Sequence, residues 1–117
     1  MFLEKLNSIS SRIADARALA LVDKDGITVE SVSSDPDIDL EALAAELVLQ
    51  ARSMTDNHRE LGAGPVQHLS VAADEGTLMV SSLTQDFYLL LVLGQEGIHG
   101  QARFELRRAV LSLGPEL

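Results

Sequence analysis

Apolar positions along this chain change period several times, and each period predicts an element. Phe2, Leu3, Leu6, Ile9 and Ile13 recur at three- and four-residue spacing. That is one face of a helix, predicted over about 2–13. Ala16 to Val22 is apolar apart from Arg17 and reads as a strand covered on both faces. The run stops at Asp23-Lys24-Asp25-Gly26. Asp25-Gly26 tolerates positive φ, so a tight hairpin is expected. The returning run, Ile27 to Ser33, carries Ile27 and Val29, then Val32 out of register. It is predicted as a second strand nearer an edge.

Ser33 to Asp37 is turn chemistry, and Asp37 or Asp39 can cap a following helix whose first turn holds Glu41. That helix is expected over about 39–61, with Gly62 placed for a left-handed stop. After the loop Gly62-Ala63-Gly64-Pro65 come three strand-like runs, PVQHLSVAA, GTLMVSSL and FYLLLVLG. Their links, Asp74-Glu75-Gly76 and Thr84-Gln85-Asp86, are too short for crossover helices, so the three form an antiparallel meander. Phe87 to Leu93 is unbroken apolar sequence, the mark of a central strand. A last helix over about 98–113 buries Ile98, Ala102, Leu106, Ala109, Val110 and Leu113. The order helix, two strands, helix, three strands, helix predicts an α+β domain spanning 1–117, with one five-stranded antiparallel sheet and helices on its faces.

The middle helix carries more apolar surface than one face needs. Leu40, Ala44, Leu47, Ala51, Met54, His58 and Leu61 form one stripe. Ala42, Leu43, Ala45, Val48 and Leu49 add to it. Ala42 and Ala45 are explained by helix propensity alone. Leu43, Val48 and Leu49 call for a second buried face, most simply against the same helix of a second copy.

Composition then removes several functions. The net charge is −9, from nine Lys and Arg against eighteen Asp and Glu, and aromatics make up 3%. Both disfavour a nucleic-acid binder, which needs cations for phosphates and rings for bases. The chain has no cysteine, which removes disulfides, thiolate zinc sites and cysteine nucleophiles. No apolar run approaches the length of a membrane span, and Glu4, Lys5 and Asn7 interrupt the start where a signal peptide would be apolar. A cytoplasmic protein without membrane insertion is expected.

The chemistry-bearing residues form no catalytic constellation. His58, His68 and His99 lie on different elements without metal-ligand spacing, and no cofactor is expected. Gly94, Gly97 and Gly100 separate a strand from a helix, but position 99 is His where a phosphate loop needs its second glycine. The carboxylates fall in caps and turns, and neither serine pair sits in a nucleophile elbow. Arg103, Arg107 and Arg108 make the last helix the most basic segment of an acidic chain. They are either a solvated face or a complement to an acidic patch on a partner.

The element order, the ALALVDKDGITVES hairpin, the long Ala/Leu helix ending at glycine, and LMVSSLTQDFYLLLVLGQEGIHGQARFELRRAVLSL together resemble the roadblock / dynein light chain family, in its bacterial MglB-like type. The start of the last helix matches through Gly100, Arg103, Phe104, Leu106 and Arg107, and the resemblance covers about 16–113. It implies a profilin-like layering and a non-catalytic homodimer in which middle helices and third strands meet, joining two sheets into one of ten strands. The implied interface is Leu40, Leu43, Ala44, Leu47, Val48, Ala51 and Met54 on the helix, with Val66, His68 and Ser70 on the strand over Pro65–Ala72. The implied partner is a Ras-like small GTPase, whose hydrolysis such dimers raise without inserting an arginine finger. The resemblance also leaves open a scaffold or adaptor without effect on hydrolysis. A ligand-binding sensory domain of similar layers is disfavoured by the few aromatics.

Overall fold

The computed structural model describes residues 2–57, 60 and 62–117. Helix α1 spans Phe2–Ser11, and strands β1 and β2 span Ala16–Asp23 and Thr28–Ser33. Helix α2 spans Leu40–Asp56. Strands β3, β4 and β5 span His68–Ala73, Gly76–Ser82 and Phe87–Gly94. Helix α3 spans His99–Leu113, and a 3-10 turn follows at Gly114–Glu116. The strands form one sheet in the order β2-β1-β5-β4-β3, with every neighbouring pair antiparallel. The fold class and meander expected from the sequence are those observed.

Two apolar layers hold the sheet. On one face α1 and α3 bury Leu6, Ile9, Leu106 and Leu113 against Leu19, Leu21, Leu89 and Leu91. On the other, α2 buries Ala44, Leu47 and Val48 against Ala18, Ala20, Val22 and Leu90. Strand β5 is central, and Leu89, Leu90, Leu91 and Leu93 are wholly buried. Alternate residues of β1 and β5 feed opposite layers, which is why both strands read as continuous apolar runs.

The first hairpin closes through Asp23. Its main-chain N–H donates to the Ile27 carbonyl (2.9 Å), and its carboxylate accepts from the amides of Asp25 and Ile27. Gly26 takes φ +82°. The ladder slips between Leu21 and Val22, since Leu21 pairs with Glu30 and Val22 with Thr28. This bulge explains the broken alternation in the sequence. Val32 lies opposite Leu19 and packs on the α1 layer, whereas Ile27, just before the edge strand, and Val29 on it remain exposed.

Four boundaries or placements differ from the sequence expectation. Helix α1 ends at Ser11 rather than near 13, and Leu3 is exposed. Helix α2 ends at Asp56, where the Asn57 side chain donates back to the Ser53 carbonyl (2.9 Å). His58 and Leu61, placed on its stripe, lie outside the described residues. Gly62 does adopt a left-handed φ of 67°. Strand β3 starts at His68 rather than Pro65. Proline has no N–H for a ladder, and the Val66 N–H is committed to Thr55 Oγ1 on α2 (3.1 Å). Ile98 is 58% exposed instead of buried, because it is the extended residue before α3 and has left the helical stripe. Of the two candidate caps of α2, Asp39 performs the role, accepting from Ala42 N–H (3.2 Å).

Candidate functional site

Helix α2 lies over β1, β2 and β4. Of its predicted interface residues, Leu40, Ala44, Leu47, Val48 and Ala51 are buried within the chain itself, seating the helix on its own sheet. The apolar excess that remains outside is smaller and better localised. Leu43 is half-buried and Met54 is 39% exposed, both on the flank next to Leu47. Leu49 is exposed on the far side.

Strand β3 ends the sheet, so one of its edges has no strand partner among the described residues. Its two faces differ. Leu69 and Val71 point to the α2 layer, where Leu69 and its neighbour Leu78 are only partly buried and Val71 is exposed. Leu43, Met54, Leu69, Val71 and Leu78 therefore place an open apolar strip on the α2 face, at the sheet's unpaired edge. Sequence reasoning missed the strand half of this strip. The signal was there in the alternation of HLSVAA, with Leu69 and Val71 as its apolar positions. The predicted strand residues lie elsewhere. His68 and Ser70 face the α3 layer, and Val66 precedes the strand.

On that opposite face, His68 bridges two hydroxyls, with Nδ1 2.9 Å from Ser81 Oγ and Nε2 2.7 Å from Ser70 Oγ. Burial, and then the positive charge of Arg103, hold its pKa below the ordinary histidine value. An open groove of about 840 Å³ runs between this strand end and α3. Arg103, Phe104, Arg107 and Leu111 form its helical wall. The third predicted arginine is not part of it. Arg108 donates to Glu105 (3.1 Å) and lies over the Phe104 ring, 5.8 Å from its centre.

Glu105 is a buried carboxylate that the sequence did not single out. Arg12 Nε donates to it at 2.9 Å, so the ion pair ties the end of α1 to α3. The hydrogen bond from Arg12 holds the Glu105 carboxyl below the usual glutamate range, helped by the charge of Arg108.

The glycine loop after β5 is shaped from within. The Glu96 N–H donates to the Asp15 carboxylate (2.9 Å), which also accepts from Arg17 Nε (2.8 Å). A side chain on Gly94 would run into that same carboxylate. The loop's glycine and amide thus serve an internal acid. His99 Nε2 lies 3.0 Å from Thr77 Oγ1. Among the described residues no helix is long and apolar enough to cross a membrane.

This sheet, with α2 on one face and α1 and α3 on the other, defines the class of protein. Residues 4–93 match the Roadblock/LC7 domain, and the chain belongs to that family. The match starts earlier than the sequence resemblance and stops before α3. No curated protein matches the chain closely enough to be a relative. Among solved structures, the gliding protein MglB of Thermus thermophilus superposes with a TM-score of 0.87 at 20% identity, covering 96% of this chain and 84% of that one. A Roadblock/LC7 domain from Streptomyces avermitilis gives 0.86 at 21% identity, covering 97% and 95%. MglC from Myxococcus xanthus gives 0.73 at 26% identity, covering 99% and 98%.

Proposed function

We propose that the chain is a homodimeric regulator of a Ras-like small GTPase, acting on the GTP-bound form without catalytic residues of its own. The observation that carries the reading is the open apolar strip of α2, β3 and β4 beside an unpaired sheet edge. An exposed apolar strip contiguous with unpaired main-chain donors and acceptors is best covered by a second copy. The two β3 edges would pair and the two α2 flanks would meet. Membership of the Roadblock/LC7 family and the likeness to MglB support the GTPase as partner.

The test has two parts. Light scattering after size exclusion reads the dimer. Retention of Ras-like GTPases from cells of the source organism, compared between a non-hydrolysable GTP analogue and GDP, reads the partner. A retained GTPase whose hydrolysis the protein then accelerates supports the regulator. Equal retention in both nucleotide states assigns an adaptor instead.

A further inference from the structure

We infer that the groove between α3 and the β3 end of the sheet docks an acidic segment of a partner protein, with its carboxylates on Arg103 and Arg107 and an apolar side chain against Phe104 and Leu111. This goes beyond the GTPase reading and does not depend on it.

Eight of the nine lysines and arginines are described, all except Arg59. Six of the eight stand within 4 Å of a carboxylate: Lys5, Arg12, Arg17, Lys24, Arg52 and Arg108. Arg103 and Arg107 have no such partner among the described residues. In a chain with eighteen acids, the two described cations without a carboxylate among the described residues are neighbours, one turn apart on one helix face. A guanidinium pair at that spacing presents a fork of donors matched to carboxylates.

Among the described residues no Asp or Glu lines the groove, although the chain carries a net charge of −9. The strand side offers His68, Ser81 and Ser82, and the two hydroxyls on His68 occupy both of its ring nitrogens. Between and beyond the arginines, Phe104 is 60% exposed and Leu111 75%. Leu111 is the most exposed large apolar side chain among the described residues. An aromatic and an aliphatic side chain flanked by two free guanidinium groups form an anchor with a charged rim.

Other occupants fit less well. Two arginines on a strongly acidic chain are too few for a phosphate backbone or an anionic membrane surface. The chain's own acidic stretch, Asp35 to Glu41, is held in place at the start of α2. Asp35 lies 3.5 Å from Arg17, Asp39 caps α2, and Ile38 packs on the α2 layer. The groove opens on the face of the sheet opposite the apolar strip of α2 and shares the β3 end of the sheet with it.

The experiment is a selection of random peptides displayed on phage against the wild-type protein, with depletion on an R103E/R107E variant. Both arginines are exposed, with no carboxylate partner among the described residues, so the variant should keep the wild-type melting temperature. The expected enrichment is peptides with clustered Asp or Glu beside an apolar residue. Synthesised, they should lose more than about tenfold in affinity for R103E/R107E, the scale of one charged hydrogen bond. They should also weaken for F104A. On binding wild type they should shift the His68 ring signals in NMR spectra. Enrichment of non-acidic peptides, equal binding to the variant, or no enrichment over the variant would overturn the proposal. So would loss of self-association in R103E/R107E, which would assign the arginines to a contact between copies.

Discussion

A methyl group on Gly26 would stand 2.9 Å from the Cα of Ala45 and 3.2 Å from its carbonyl oxygen. The tip of the first hairpin therefore touches the backbone of α2 directly, and it does so with a left-handed φ of 82°. Both facts require glycine. The Gly26→Ala change would meet a backbone penalty of about 1–2 kcal/mol and, in addition, a clash with main-chain atoms that cannot rotate away. A total loss of roughly 2–4 kcal/mol is expected in urea unfolding. Gly64→Ala is the control. It has φ +83° but no neighbour within 4 Å among the described residues, so it should lose only the backbone share.

Dimerisation should be tested on the rim of α2 and not at its centre. Leu47 is 6% exposed and belongs to the chain's own core, so Leu47→Glu would bury an unpaired charge and unfold the protein. Met54→Glu and Val71→Glu alter side chains that are 39% and 38% exposed. Each should leave the circular dichroism spectrum and the melting temperature near wild type. Each should also convert a dimer to a monomer at micromolar concentration, read by light scattering. A dimer that survives both changes would place the contact elsewhere.

The Arg12–Glu105 pair should govern acid stability. The Glu105 carboxyl titrates below its ordinary value of 4.5, first through the Arg12 hydrogen bond. A depressed carboxylate contributes stability that is complete above its unfolded pKa and lost as pH falls through its folded pKa. The loss therefore lies below pH 4.5. Arg12→Ala removes the principal donor but leaves Arg108, at an expected cost of roughly 1–2 kcal/mol at pH 7. The gap between variant and wild type should narrow as pH falls from 7 to 3 and Glu105 takes up its proton. Urea titrations at the two pH values measure it. A gap that stays constant would mean that Arg12 contributes by packing alone.

Local pattern carried much of this fold. The Asp25-Gly26 turn, the meander after Pro65 and the central Phe87–Leu93 strand are written in neighbouring residues, and so they were legible. The edges of the site were not. Nothing local shows that the Val66 amide is taken by Thr55 Oγ1, which delays β3 to His68. Nor does helical period separate the apolar residues α2 spends on its own sheet from those it leaves over. Val48 reads as surplus, yet it is fully buried, because the helix sinks its face between β1 and β4. Arg108, by contrast, was separable from Arg103 and Arg107 by helical spacing, since Glu105 and Phe104 stand three and four residues before it on the same helix, whereas Glu105 is two residues from each of the other two.

His68 gives that separation a measurable consequence. Its pKa is lowered by burial first and by Arg103 second, so both act against its protonation. A histidine with a depressed folded pKa contributes stability above its unfolded value, near 6.5, and that stability is lost as pH falls through the folded pKa. Arg103→Gln removes the charge while burial remains. The His68 titration followed by NMR should therefore move upward in the variant without reaching the ordinary value. The stability lost as pH falls below 6.5 should shrink correspondingly. Arg107→Gln is the comparison, since the charge of Arg107 does not figure in the shift. Equal titration midpoints in wild type and Arg103→Gln would show that Arg103 stands too far from the imidazole to shape the floor of the groove.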